Sequence, residues 1–173
     1  MSEFTSKQHG AIFDAIKFCS LAVGSLKDKD ATRYALHHLR VEPGRIVASD
    51  GPRLHLAVVE HDLAPGAYAV VKATKTSIFI DKAADGDFPD YRRLLDSLAL
   101  CQVELLAPYH PTYPEYLYTQ LVRSIDQGVT LKYRYVVDAG TQANYSFSAD
   151  TAGMVWLASD TGAFQAVIMP VKM

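Results

Sequence analysis

The apolar positions Ile12, Ile16, Cys19 and Val23 recur at intervals of three and four residues, the period of one face of an α-helix. Thr5 with Gln8 three residues on supplies a capping box ahead of them, and Gly24 offers a C-cap behind. The other face of this helix carries Asp14 and Lys17. At Arg33 the period changes to two: Ala35, Leu39 and Val41 fall on one side of an extended chain, and Tyr34, Leu36, His38 and Arg40 on the other. Residues 33–41 therefore read as a strand. Pro43-Gly44 turns that strand into a second at 45–49, and Asp50-Gly51-Pro52 turns the second into a third at 53–59. Turns this short join antiparallel neighbours, so a meander is predicted. Residues 66–71 form a further strand and 77–80 a short one.

Residues 81–90 are poor in core formers, and a connector is placed at 83–97. Beyond it 100–106 alternates weakly, and Pro108, Pro111 and Pro114 interrupt the chain. Pro114 suits the first position of a helix, in which Leu117, Leu121 and Ile125 fall four apart before Gly128. A long strand is predicted at 129–137 and shorter ones at 144–148, 154–158 and 164–171.

One phrase occurs twice. Val47-Ala48-Ser49-Asp50-Gly51 and Leu157-Ala158-Ser159-Asp160-Thr161-Gly162 both close an apolar run on Ala-Ser-Asp, and Ser159 follows Ser49 by 110 positions. After each copy an apolar run resumes, so each is a strand, a tight turn and a returning strand. Asp-Gly hairpins are common, but the flanking patterns match as well, which favours an internal repeat. The expected fold is α+β: a single domain over 1–173 with two similar halves, at about 5–82 and 98–173. Each half has one helix followed by about four antiparallel strands, with the helices on one face.

Composition narrows the function. A chain of 173 residues can bury a core without staples, and no apolar run approaches the length of a membrane helix. The first residues lack the apolar stretch of a signal peptide, so a cytoplasmic location is expected. Two cysteines, Cys19 and Cys101, are too few for a disulfide framework and read as buried thiols. A formal net charge of −2 exerts no overall pull on nucleic acid, so DNA contact requires a local basic face.

Candidate chemistry is sparse. His37 and His38 are adjacent, and neighbours in a strand point to opposite faces, so the pair is not expected to chelate one ion. His55 and His61 add nothing at ligand spacing, and neither a metal nor a cofactor is expected. Ser49-Asp50 and Ser159-Asp160 read as structural turns rather than nucleophile–base pairs. The tyrosines at 109, 113, 116 and 118 could stack on bases or pack a proline-rich loop onto the core. No phosphate loop, nucleophile elbow or zinc-protease helix is present, and no catalysis is expected.

Three stretches resemble the bacterial sliding clamp, the β subunit of DNA polymerase III. Arg33-Tyr34-Ala35-Leu36 and Ala48-Ser49-Asp50-Gly51-Pro52-Arg53-Leu54 are similar to the strand and the Ala-Thr-Asp-Gly-x-Arg-Leu turn of the clamp's middle domain. Phe88-Pro89-Asp90-Tyr91-Arg92-Arg93-Leu94-Leu95 resembles the linker into its last domain, and Val167-Ile168-Met169-Pro170-Val171-Lys172-Met173 resembles its C-terminus. The resemblance implies a DNA-clamp-like domain, as if half of a middle domain had been joined to half of a last one. It implies a groove for peptides of polymerases and repair proteins, with Arg33, Leu36, Ser49, Pro52 and Leu54 on one wall. Val167, Met169, Pro170, Val171 and Met173 fall on the other, although Val167 and Met169 also suit the core of the last strand. Pro52 stands where the family usually has His. The residues carried over as DNA-facing are Lys17 and Arg123, few for a family whose DNA-facing helices are basic.

The expected function is therefore that of a non-enzymatic accessory protein of DNA replication or repair, a processivity factor resembling a sliding clamp. Duplex DNA without sequence specificity and a homo-oligomer are possible partners. A ring would need about six copies, whereas a free monomer would hold DNA no better than about 10⁻⁴ to 10⁻⁶ M. The alternative is a monomeric protein-interaction module that binds or competes for clamp-binding peptides. An unrelated α+β enzyme is a third reading, disfavoured for want of a site.

Overall fold

A computed structural model describes residues 1–25, 36–99, 131–140, 145–149, 154–159 and 161–171. The chain divides into two compact units, Met1–Pro89 and Asp90–Met173.

In the first unit a strand absent from the sequence reading, β1 (Ser2–Thr5), runs directly into helix α1 (Ser6–Ser20). Thr5 is the N-cap, its Oγ1 accepting from the Gln8 backbone N–H at 3.4 Å. The reciprocal bond comes from His9, not from the expected Gln8: the Thr5 backbone N–H donates to His9 Nδ1 at 3.0 Å. Helical backbone geometry is interrupted at Gly10, where α1 kinks. The buried stripe is Phe13, Ala15, Ile16, Phe18 and Cys19. Ile16 and Cys19 were expected there, but Ile12 and Val23 are only half-buried. The larger Phe13 and Phe18 take the inward face, and Val23 lies beyond the helix end.

Strands β2 (Leu39–Glu42), β3 (Arg45–Ser49) and β4 (Arg53–Val58) form the predicted meander. The extended run expected from Arg33 is corrected in its described part: residues 36–38 turn, and pairing begins at Leu39. Strand β5 (Gly66–Ala73) pairs with β2 rather than with β4, and β6 (Ser77–Lys82) joins β5 to β1. The order is β1-β6-β5-β2-β3-β4, antiparallel throughout, with a bulge at Val71. Helix α1 packs on one face of this sheet. Leu39, Val41, Ile46, Ile78 and Ile80 are fully buried in the unit.

The second unit contains helix α2 (Tyr91–Ala99), helix α3 (Tyr133–Ala139) and the antiparallel strands β7 (Tyr145–Ala149), β8 (Val155–Ser159) and β9 (Phe164–Ile168), in the order β7-β8-β9. Helix α2 occupies part of the expected connector, with Asp90 Oδ1 accepting from the Arg93 N–H at 3.4 Å near its start. The strand predicted at 129–137 is wrong where it is described, because α3 occupies 133–139. Tyr133, Tyr135, Val136 and Val137 favour strands locally. Burial of Val136 and Ala139 three residues apart, and a Gly140 N–H bonded to the Val136 carbonyl at 2.9 Å, override that preference. The helix predicted after Pro114, the strand at 100–106, Cys101 and the four proline-flanked tyrosines lie outside the described residues. The α+β class holds, with every described strand pair antiparallel.

Candidate peptide-binding surface

The first Ala-Ser-Asp turn joins β3 to β4. Ser49 Oγ accepts from the Gly51 N–H at 3.1 Å and donates to the Arg53 carbonyl at 2.8 Å, so one hydroxyl closes both sides of the turn. Gly51 takes φ +97°, a conformation that glycine adopts at little cost. Asp50 reaches forward: Oδ1 accepts from the Arg53 N–H at 3.2 Å, and Oδ2 pairs with Arg53 Nε at 2.9 Å. The Arg53 side chain is only 7% exposed, and its Nη2 donates to the Leu21 carbonyl at the C-cap of α1. Burial raises the Asp50 carboxyl above its ordinary range; the charge and hydrogen bonds of Arg53 pull the other way without cancelling it.

The same end of α1 meets β4 again at His55. Its Nδ1 lies 2.9 Å from the Phe18 carbonyl, an acceptor, so Nδ1 carries the proton. The imidazole stacks on the Phe18 ring with centroids 4.4 Å apart. Cys19 Sγ bonds the Ile46 carbonyl at 3.2 Å, and burial pushes its thiol far above the ordinary range. Carbonyls near the helix C-terminus are thus met by donors from β4, and the Arg53 cation complements the helix dipole.

Of the first predicted wall, Leu36, Ser49 and Leu54 are buried and Pro52 is exposed. Leu36 is next to the turn: a Cβ on Gly51 would lie 4.0 Å from its Cδ1, and its carbonyl accepts from the Gly24 N–H at 2.8 Å. Arg33 lies outside the described residues. Of the second wall, Val167 is buried in β9 and paired with Trp156 of β8, Met169 is 42% exposed, and Pro170 and Val171 are half-buried. Met173 lies outside the described residues. In the second turn the serine also bonds across the loop, but to a different partner. Ser159 Oγ accepts from the Phe164 N–H at 3.0 Å, and its carbonyl from the Gly162 N–H at 2.7 Å.

Sequence reasoning named Arg53 within the clamp-like turn but gave neither it nor Leu21 a role in the site. The available signal was a cation inside an apolar run, at the position where the second copy has Ala163. Of the residues assigned to DNA, Lys17 is engaged locally: Nζ donates to the Lys75 carbonyl at 3.0 Å and lies 5.3 Å from the Phe13 ring centroid. Arg123 lies outside the described residues. The opposed placement expected for His37 and His38 is also corrected. The chain turns there, so the rings lie side by side with centroids 4.0 Å apart. Burial, and then the neighbouring His37 charge, lowers the pKa of His38. Among the described residues no three His, Cys, Asp or Glu side chains stand together to hold a metal ion, and no helix is long and apolar enough to cross a membrane.

The α+β arrangement is that of a DNA clamp, a fold likeness that extends over nearly the whole chain. The Pseudomonas aeruginosa DNA polymerase sliding clamp is similar with TM-score 0.61 and 16% identity, covering 99% of this chain and 66% of that one. The Thermotoga maritima DNA polymerase III β subunit is similar with TM-score 0.57 and 12% identity, over 99% and 65%. The Pseudomonas aeruginosa sliding clamp bound to griselimycin is similar with TM-score 0.54 and 17% identity, over 99% and 66%. The chain thus spans about two thirds of the length of the clamps it matches. No family description and no curated protein matches its sequence.

Proposed function

We propose that this protein acts without catalysis as an accessory protein of DNA replication or repair, a processivity factor of the sliding-clamp kind. The supporting observation is the clamp fold over 99% of the chain. In this reading, peptides of polymerases or repair proteins dock on the β3–β4 turn with Leu36, Ser49, Pro52 and Leu54, and on the end of β9 with Val167, Met169, Pro170 and Val171. Arg33 and Met173 belong to the same assignment by sequence. Duplex DNA is held without sequence specificity, with Lys17 and Arg123 towards it, and a location in the cytoplasm follows from that work.

Light scattering on the intact chain, over a range of concentrations with and without duplex DNA, tests the encircling role. A mass of about six subunits is the expected result. A mass that stays near 19 kDa whatever DNA is added excludes the ring. The engagement of Lys17 with Lys75 favours a second reading, a monomeric module that binds or competes for clamp-binding peptides. Saturable binding of griselimycin by a 19 kDa monomer that does not retain circular duplex would select it. No binding up to high micromolar griselimycin would remove the main support of both readings.

A further inference from the structure

The two Ala-Ser-Asp hairpins form a controlled comparison within one chain. Arg45 pairs with Val58 and Val155 with Ile168; Ile46 pairs with Ala57 and Trp156 with Val167. The match continues through Val47–Leu56 and Leu157–Ala166 to Ala48–His55 and Ala158–Gln165, always at an offset of 110. Both serines bond across their turns. The correspondence fails at Arg53, where the second hairpin has Ala163. The second turn carries no cation of its own, so an arginine within the turn is not needed for turning the chain.

Resting on the partner-peptide reading above, we infer that Arg53 is a positioning residue: through Asp50 and the Leu21 carbonyl it locks the peptide-binding turn to the end of α1. The guanidinium can serve both acceptors at once because its donors diverge in a rigid fork, Nε to Asp50 Oδ2 and Nη2 to the Leu21 carbonyl. Ser49, Pro52 and Leu54 flank these bonds directly. A surface held in place before binding spares the ligand the cost of ordering it. The function of Arg53 is therefore to present that surface rather than to touch the ligand.

The test uses the full chain as wild type, Arg53→Lys, Arg53→Met and Asp50→Asn, with griselimycin as probe. Amide hydrogen exchange is followed over 18–25 and 49–56, and griselimycin affinity is measured by calorimetry on protein that is fully folded. Lysine keeps the charge and most of the stem but cannot bridge both acceptors. Arg53→Lys is therefore expected to speed exchange in both segments, leave 155–168 unchanged and weaken griselimycin by about tenfold, the effect of losing one charge-assisted bond. Asp50→Asn should act in the same direction. If Arg53→Met fails to fold, the lysine and asparagine variants still decide the question.

Faster exchange at only one segment, or at neither, overturns the lock. Faster exchange at both with unchanged griselimycin affinity overturns the positioning role, because a merely structural arginine alters stability without altering the affinity of folded protein. Wild-type protein that does not bind griselimycin refutes the partner-peptide reading itself, a result separate from a variant that binds as well as wild type.

Discussion

Replacing Ser49 by alanine isolates what the repeated phrase contributes to the fold. Ser49 is buried, and its hydroxyl makes two bonds across the turn. Their losses are unequal. The Gly51 N–H belongs to an exposed residue and can turn to water, whereas the Arg53 carbonyl loses the shorter of two bonds and keeps a longer one, 3.3 Å, from the Asp50 N–H. One neutral bond lost from a buried site, with the other partly replaced, predicts a destabilisation of about 1–2 kcal/mol. For a chain of this size that lowers the thermal midpoint by roughly 2–8 °C. Urea unfolding followed by far-UV circular dichroism measures it, with the slope compared to wild type so that a shift in midpoint is a shift in stability. Ser49→Thr retains the hydroxyl and is expected to lose less than Ser49→Ala. A Ser49→Ala stability within about 0.5 kcal/mol of wild type would refute the role assigned to the hydroxyl, as would a threonine variant as damaged as the alanine one.

Gly51→Ala is limited by backbone conformation, not space: at φ +97° with Leu36 Cδ1 at 4.0 Å, the variant should lose about 1–2 kcal/mol in the same urea assay, and an unchanged midpoint would show that the turn relaxes freely. His38 gives a pH dependence whose sign follows from its lowered pKa. Above the ordinary value of 6.5 both folded and unfolded imidazoles are neutral and its stability contribution is whole; as pH falls below 6.5 the unfolded chain takes up the proton first and stability is lost. His38→Gln should flatten that part of the stability profile, and parallel wild-type and variant curves would contradict it. Cys19, buried with a raised thiol pKa, should resist a thiol reagent at mildly alkaline pH in native Cys101→Ser protein and react fully once urea unfolds it; rapid labelling of the native form would show that its site opens.

The strands of the first unit were legible where alternation and turn chemistry agreed. Pro43-Gly44 and Asp50-Gly51-Pro52 fix β2, β3 and β4 by local chemistry alone. Pairing of β5 with β2 was not legible, because the choice between two sheet edges depends on burial across the whole face. Strand β1 was hidden for a related reason: Ser2-Glu3-Phe4-Thr5 has a single core residue and is extended only because β6 offers an edge. The misread 129–137 segment fails in the opposite sense, since its aromatic and β-branched residues advertise a strand and packing of Val136 and Ala139 makes a helix. Of the candidate surface, the turn residues were named from the resemblance. The bond from Arg53 to Leu21 spans 32 positions, and no local pattern announces it.

The repeat explains why so few identical residues suffice. A slip of one position would send every side chain of a strand to the opposite face, yet the two hairpins keep the same register over their described pairs. Pairing on the outer side is also preserved, Arg40 with Val47 and Phe147 with Leu157, although two residues separate β2 from β3 and five separate β7 from β8. What differs is the use made of the returning strand. In β4 the side chains of Arg53 and His55 reach the Leu21 and Phe18 carbonyls of α1. At the matching positions Ala163 has no such side chain, and Gln165 Nε2 bonds the Gly162 carbonyl of its own turn at 3.2 Å. The first hairpin is therefore fastened to a helix at two points by side chains for which the second has no counterpart at the same positions. Any ligand that displaces the first turn must draw the end of α1 with it or break a buried, charge-assisted contact.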